Sequence, residues 1–257
     1  MDEFFNELGF VFPDVSYRFN PELRDKFVLD VSRELHNGAR VIDISSGSRP
    51  YKYLFSHCVY VSHEFEGNKG IVDSFRGESG EKVHDIYSPI DRIPVGDNEF
   101  DLVICTEVFE HIPEPIEAMR ELVRICKIGG RILITAPFTS GIHQEPYHFY
   151  SGFSPYFYNY LAGKYNLLVS RFKSQGDMFL LNVQELDRCR EVKHPKLLEN
   201  SLYNRMFDRM VDFMKRYYFG MSRYLGMEKY DNVDGMGRVV YGNSFGIGYC
   251  VLFEKKN

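Results

Sequence analysis

The chain has 257 residues, of which 44% are hydrophobic and 26% charged, with a formal net charge of -5 and a pI near 5.9. That length suits one α/β domain with room for an insertion, and the acidic balance argues against a nucleic-acid backbone as the main partner. The five cysteines stand singly with no CxxC pair, which argues against both a zinc knuckle and a disulfide framework and suits a reducing compartment.

The N-terminus begins Met1-Asp2-Glu3-Phe4, and no apolar signal-like run follows it. The longest uncharged stretch, Pro146 to Gly163, carries two prolines and two glycines and makes a poor membrane span. A cytoplasmic protein without a membrane span is therefore expected.

The first helix should open at Asn20-Pro21-Glu22, where asparagine caps and proline suits the first helical position. Leu23, Phe27, Val28, Val31 and Leu35 follow at helical spacing, and Gly38 closes the segment. Arg40 to Ile44 reads as a buried strand, Ser45 to Ser48 as a turn, and Pro50 to Phe55 as a short helix. A second strand begins at Val59 and ends at His63-Glu64, residues 66–80 read as a loop, and Lys82 to Ile86 reads as a strand-like piece. Phe100 to Cys105 is a strongly apolar strand, Pro115 to Cys126 an amphipathic helix, Gly129-Gly130 a tight turn, and Arg131 to Ala136 another buried strand. Strands alternating with helices in this way predict a parallel sheet, with ligands beyond the carboxyl ends of the strands. Further on, Tyr165 to Phe172 reads as a strand, 180–230 as mostly helical and Tyr249 to Phe253 as a last strand.

The polar residues at the strand ends are the first candidates for chemistry. A tight turn at Ser45-Ser46-Gly47-Ser48 would let backbone amides approach a ligand. Glu64, 21 residues after Asp43, is an acceptor-only group that could take both hydroxyls of a ribose. Asp85 stands next to the apolar Ile86, and Cys105-Thr106-Glu107 ends the third long strand.

The block Asn98-Glu99-Phe100-Asp101 through Glu110-His111-Ile112, Gly129-Gly130 and on to Pro137 closely resembles the fourth-strand, helix and fifth-strand region of class I S-adenosylmethionine-dependent methyltransferases, of the methyltransferase type 11-like kind. The turn from Asp43 to Tyr51 resembles the first motif of the same class. The resemblance covers about residues 38 to 172, with Ser244 to Phe253 as a last strand. It implies a doubly wound α/β fold: a mostly parallel, seven-stranded Rossmann-like sheet with helices on both faces, the seventh strand inserted between the fifth and sixth, and a helical insertion before it. It also implies a single methyltransferase domain over 1–257, divided into an N-terminal arm and helix (1–37), a cofactor-binding core (38–172), the helical insertion (173–243) and the last strand (244–257).

Carried onto this sequence, the resemblance implies S-adenosylmethionine as cofactor and S-adenosylhomocysteine as product. Asp43, Ser45, Ser46 and Gly47 would line the first loop, Glu64 would hold the ribose, Asp85 the adenine amino group and Ile86 the ring face, with Cys105, Thr106 and Glu107 passing the cofactor. The chain departs from the class at Ser45, where glycine is typical, and at Arg49, where it is frequent.

Acceptor chemistry falls to the segment after the fifth strand. His143, Pro146 and His148 follow a His-x-x-Pro-x pattern of similar methyltransferases, with His148 where an acid is common. Histidine is the natural base near neutral pH, so His148 is the first candidate for removing an acceptor proton and His143 the second. His111 reads as a loop-orienting residue. A metal set of His143, Glu145 and His148 has no trusted spacing, so no metal is expected. Eight of the 18 residues from Pro146 to Gly163 are aromatic, half of them read as core and half as walls for an acceptor.

The expected activity is methyl transfer to a small-molecule acceptor, an O or N nucleophile of a metabolite or sugar. Two alternatives stand beside it: a catalytically degenerate binding module, favoured by Ser45, and an NAD-binding oxidoreductase, disfavoured because Gly47 is the only glycine in the loop. The aromatic helical region Leu202 to Tyr230 offers a face for a homo-oligomer.

Overall fold

The computed structural model describes residues 19–65, 84–191, 201–225, 233–234, 238–239 and 246–257. Two compact units divide the chain. One comprises Arg24–Lys173, Asp231–Tyr241 and Gly248–Asn257; the other comprises Met1–Leu23, Ser174–Tyr230 and Gly242–Ile247. The loop expected over 66–80 lies outside the described residues.

The larger unit is built on a seven-stranded sheet of order β3-β2-β1-β4-β5-β7-β6. Its strands are β1 (Arg40–Ile44), β2 (Val59–Glu64), β3 (Ile86–Tyr87), β4 (Phe100–Thr106), β5 (Cys126–Pro137), β6 (Leu167–Gln175) and β7 (Gly248–Lys255). The pairs β1–β2, β1–β4, β2–β3 and β4–β5 are parallel, and β7 runs antiparallel to β5. The inserted seventh strand is thus where the resemblance put it. The reversal of strand order falls between β1 and β4, and their carboxyl ends meet there: Ile44 lies opposite Cys105.

The sequence forms these strands because both faces are covered. Val41, Ile42 and Ile44 of β1 and Leu102 to Cys105 of β4 are fully buried, as a parallel strand between helical layers requires. One core layer joins Ile42, Val103, Ile132 and Val251 to Met119 and Leu122 of α2 (Pro115–Ile125) and to Tyr158 and Leu161 of α3 (Pro155–Lys164). The other joins Val41, Leu102, Ile104 and Leu133 to Phe27, Val28 and Val31 of α1 (Phe19–Arg33).

Three expectations are corrected. Pro50 to Phe55 forms only a 3-10 turn, Lys52–Phe55. The third strand is Ile86–Tyr87, so Asp85 precedes it instead of lying within the expected Lys82 to Ile86 piece, of which 82–83 lie outside the described residues. Gly129-Gly130 does not break the chain before β5; the strand runs from Cys126 through it. Opposite Phe100 and Leu102 of β4 stand Cys126 and Arg131, so a bulge absorbs the residues between. Gly129 has φ 74 there, and a Cβ on Gly130 would lie 2.9 Å from the Lys127 carbonyl oxygen.

In the smaller unit, α4 (Met178–Glu191) and α5 (Ser201–Leu225) pack as an antiparallel pair. Three ties fix the register: Ser222 Oγ to Asp177, Lys215 Nζ to Asp187 at 2.6 Å, and Arg190 to Asp212 at 2.6 Å. Lys215 and Asp187 are both buried, so the pairing matters more than a surface ion pair would. No helix among the described residues is long and apolar enough to cross a membrane.

Candidate active site

The turn after β1 is held from below by a buried histidine. His63 in β2 is fully buried, and its Nδ1 accepts from the Ser45 N–H at 3.3 Å while Nε2 lies 3.1 Å from the Ser88 carbonyl oxygen. That arrangement fits the neutral ring with its proton on Nε2, and burial lowers the His63 pKa to about 4. The Ser46 N–H donates to the His63 carbonyl, and Ser46 Oγ meets His84 Nδ1 at 3.1 Å. The loop therefore needs three left-handed residues in short order: Ser45 at φ 50, Gly47 at φ 52 and Arg49 at φ 58. The two non-glycine positions are the ones at which the sequence departs from the class it resembles, so Ser45 and Arg49 hold a backbone conformation that glycine adopts more readily.

Beneath the turn, Asp43 is buried and accepts from Tyr60 Oη at 2.6 Å. Burial, with Glu64 adding to it, raises its pKa to about 7.

Glu64 sits at the end of β2 and is 4% exposed. One carboxylate oxygen accepts from the Gly47 N–H at 2.9 Å and the other from the Phe65 N–H at 2.9 Å. A carboxylate offers about four acceptor positions, so both oxygens keep capacity after these two bonds. Glu64 lines a cavity of about 440 Å³ together with Ser45, Gly47, Phe65, Ile90, Val108 and His111. The same cavity continues to Ile112, Pro113, Gln144, Tyr147 and Phe149. A Cβ at Gly47 would meet no atom within 4 Å, so the turn borders open space there.

A second cavity, of about 210 Å³, is lined by Arg24, Asp43, the Ser45 to Ser48 turn, Tyr51, Thr106 and Glu107. Arg24 Nε donates to Tyr51 Oη at 2.9 Å, and its Nη1 lies 3.8 Å from Glu107. Glu107, at φ 53, lines both cavities and accepts from Thr135 Oγ1 at 2.8 Å.

Several expected residues stand elsewhere. Cys105 is fully buried in the core layer with Ile42 and Ile44, and burial drives its thiol pKa well up. Asp85 is exposed, accepts from the backbone and hydroxyl of Ser62, and lines neither cavity; those bonds help lower its pKa against the effect of burial. Ile86 is also absent from the walls, where Phe65 and Ile90 supply the apolar surface. Alternation in β2 and the loop after β3 could have pointed to Phe65 and Ile90; nothing local singled out Arg24 or His63.

The acceptor-side histidines come together. A turn closed by the Tyr147 N–H on the Gln144 carbonyl at 3.0 Å brings the His143 and His148 rings to 4.7 Å between centroids. The His111 ring lies 4.9 Å from His143 and 6.0 Å from His148. Glu145 is not part of this group. His111 Nδ1 donates to the Tyr147 carbonyl, and His143 Nδ1 donates to the Gly141 carbonyl at 2.9 Å. Neither ring nitrogen of His148 has a partner among the described residues. Partial burial first, then the neighbouring His143, lowers the His148 pKa below the usual histidine range. Beside His111, Glu110 is buried, and desolvation with the nearby Glu107 raises its carboxyl to about 8. Of the aromatic run, Tyr147 and Phe149 line the cavity, Phe153 and Tyr158 are core, and Tyr156 and Tyr160 are exposed.

Comparison with known proteins bears on the fold and on one matched segment. Residues 43–134 match the model of a methyltransferase domain family. A ubiquinone/menaquinone biosynthesis C-methyltransferase of Azotobacter vinelandii is 27% identical over 120 residues, 42% of this chain and 46% of that protein. An uncharacterized methyltransferase of Bacillus subtilis, YcgJ, is 30% identical over 99 residues, 37% of this chain and 39% of its own length. The chain thus spans about half the length, or less, of these curated relatives. The solved YcgJ structure superposes with a TM-score of 0.50 at 14% identity, covering 90% of this chain and 97% of that one. A phosphoethanolamine N-methyltransferase of Haemonchus contortus, solved with S-adenosylhomocysteine, gives a TM-score of 0.50 at 15% identity over 91% of this chain and 53% of that one. At those identities the structures speak for the fold, and the matched segment for the family. Residues 43–134 are thus similar to a methyltransferase domain, and the chain shares the fold of solved methyltransferases.

Proposed function

We propose that the protein transfers a methyl group from S-adenosylmethionine to a small-molecule acceptor held at the histidine end of the larger cavity. The observation that carries this reading is Glu64: a buried carboxylate, oriented by Gly47 and Phe65 and with acceptor capacity to spare, on the wall of a cavity of about 440 Å³. Its two oxygens suit two vicinal hydroxyls, and Phe65 and Ile90 suit the flat apolar faces of a base. The Gly47 turn admits close approach, and Arg24 in the smaller cavity suits a carboxylate. These residues fit the ribose, adenine and amino-acid parts of the cofactor.

The bound cofactor supplies an electrophilic methyl carbon; the protein supplies position and a proton acceptor. Ile112, Pro113, Tyr147 and Phe149 add apolar wall to the cavity that His111 also lines. His148, with its lowered pKa, is in its basic form at neutral pH and takes the proton of an O or N nucleophile, with His143 beside it as the second candidate. An acceptor that is a metabolite or sugar fits this assignment. The relatives named for quinone C-methylation make a hydroquinone the other acceptor to try, since aromatic walls also suit a ring.

The test is a methyl-transfer assay with labelled S-adenosylmethionine against sugars, amines, phenols and hydroquinones, with His148→Ala and His148→Gln alongside. Turnover on any class, reduced about 100-fold or more in both variants, supports the reading and names the acceptor. Binding of S-adenosylmethionine with no turnover on any acceptor would leave the degenerate binding module in its place.

A further inference from the structure

We propose that His111, His143 and His148 form a binding site for one divalent transition-metal ion, zinc first among them, at the acceptor end of the larger cavity. One ligand nitrogen from each residue lies within 4.8 Å of the other two, and all three side chains are half-buried. The residues come from two separate segments, His111 from the turn after β4 and His143 and His148 from the loop after β5, so chain proximity alone does not explain the cluster.

The protonation pattern matches what a metal needs. A metal-binding imidazole characteristically donates its other ring N–H to a carbonyl or carboxylate, which fixes the ring and exposes a lone pair. His111 does this through Nδ1 to the Tyr147 carbonyl, and His143 through Nδ1 to the Gly141 carbonyl at 2.9 Å. Both therefore present Nε2 as an acceptor. His148 contributes two buried nitrogens with no partner among the described residues, a cost in polar burial that a bound ion removes.

A buried carboxyl group also stands beside the cluster. Glu110 is 1% exposed, its Oε1 lies 3.7 Å from His111 Nε2, and its Oε2 has no hydrogen-bond partner among the described residues. Three neutral imidazoles select borderline transition ions over magnesium or calcium, which prefer oxygen ligands. Zinc–nitrogen bonds of about 2.0–2.1 Å place three tetrahedral ligands about 3.3 Å apart, so loading the ion draws the rings together by up to about 1.5 Å. A tetrahedral ion on three histidines keeps one position for water or for an acceptor oxygen. His111 lines the cavity itself, which puts that position at the acceptor end. With the ion bound, the lone pairs of His143 and His148 are taken up and neither serves as the proton acceptor; the ion's role in holding the acceptor rests on the methyl-transfer reading, and its binding does not.

The experiment uses the full chain without an affinity tag, stripped with a chelator and titrated with Zn²⁺ against a chromophoric chelator, and separately with Co²⁺ followed by visible absorption. The wild type should take up one ion per chain, with cobalt bands of a four-coordinate nitrogen and oxygen site. His111→Ala, His143→Ala and His148→Ala should each weaken uptake at least 10–100-fold, since even outer partners of a metal ligand matter that much. Circular dichroism confirms that each variant is folded, and the cobalt spectrum of the wild type tests the site without any variant. Absence of stoichiometric uptake by the wild type, or undiminished uptake by the triple variant, would overturn the proposal. S-adenosylhomocysteine binding is measured in parallel. Zinc uptake without adenosyl binding would overturn the methyl-transfer reading and uphold the metal site; the converse would do the opposite.

Discussion

Glu64→Gln is nearly isosteric and isolates what the carboxylate does. In the wild type both oxygens already accept a backbone N–H, from Gly47 and from Phe65, each at 2.9 Å. Glutamine keeps one acceptor oxygen and puts an NH₂ where the other stood. Whichever way the amide turns, a donor faces one of those backbone donors, and one acceptor for the ribose is gone. Loss of one hydrogen bond to a charged group is about 1.5–3 kcal/mol. Affinity for S-adenosylhomocysteine should fall about 10–150-fold, because each 1.4 kcal/mol is a factor of ten. Calorimetric titration of wild type and variant reads this directly, and thermal melts of the free proteins separate a folding defect from a binding one. An affinity within threefold of the wild type in a folded variant would refute the assignment of Glu64 to the ribose.

Ser45→Gly removes the side chain from a residue at φ 50, relieving about 1–2 kcal/mol of left-handed strain while adding about 0.4–1 kcal/mol of unfolded-chain freedom. Urea unfolding should show the variant up to about 1 kcal/mol more stable, and a clear loss would mean the serine side chain holds the turn. Gly130→Ala forces a Cβ to 2.9 Å from the Lys127 carbonyl oxygen in the β5 bulge. A cost of about 1–3 kcal/mol is expected for such overpacking, and an unchanged unfolding midpoint would contradict the bulge. Asp43, with its pKa raised to about 7, binds a proton in the folded state that the unfolded state has released above about pH 4. Its contribution is fully present below that and is lost as pH rises through 7, at about 1.4 kcal/mol per pH unit. Asp43→Asn should therefore gain on the wild type by about 2 kcal/mol between pH 5 and 7.5 in urea unfolding, and a gap independent of pH would sink this reading.

Much of the frame was legible in the sequence because its strands are buried on both faces. Arg40 to Ile44 was read with its observed bounds, and Phe100 to Cys105 fell one residue short. The place of Glu64 followed from the same regularity: a charged residue that closes a buried parallel strand lies at its carboxyl end, where ligands bind. The bulge at Gly129-Gly130 was not legible, since a pair of glycines reads equally as a turn; only pairing with β4 distinguishes them. Asp85 and Ile86 looked equivalent to cavity residues, but the short β3 begins after Asp85 and leaves that carboxylate on Ser62. The stapling of the first turn by His63 and the meeting of His111 with His148 are contacts across 18 and 37 positions, set by tertiary packing.

The most direct test of the account is a calorimetric titration of the wild-type chain with S-adenosylmethionine and S-adenosylhomocysteine, with NAD as control. The account predicts one site per chain, micromolar affinity for both adenosyl ligands and no heat from NAD. Silence from both adenosyl ligands up to millimolar concentration, or preference for NAD, would contradict it.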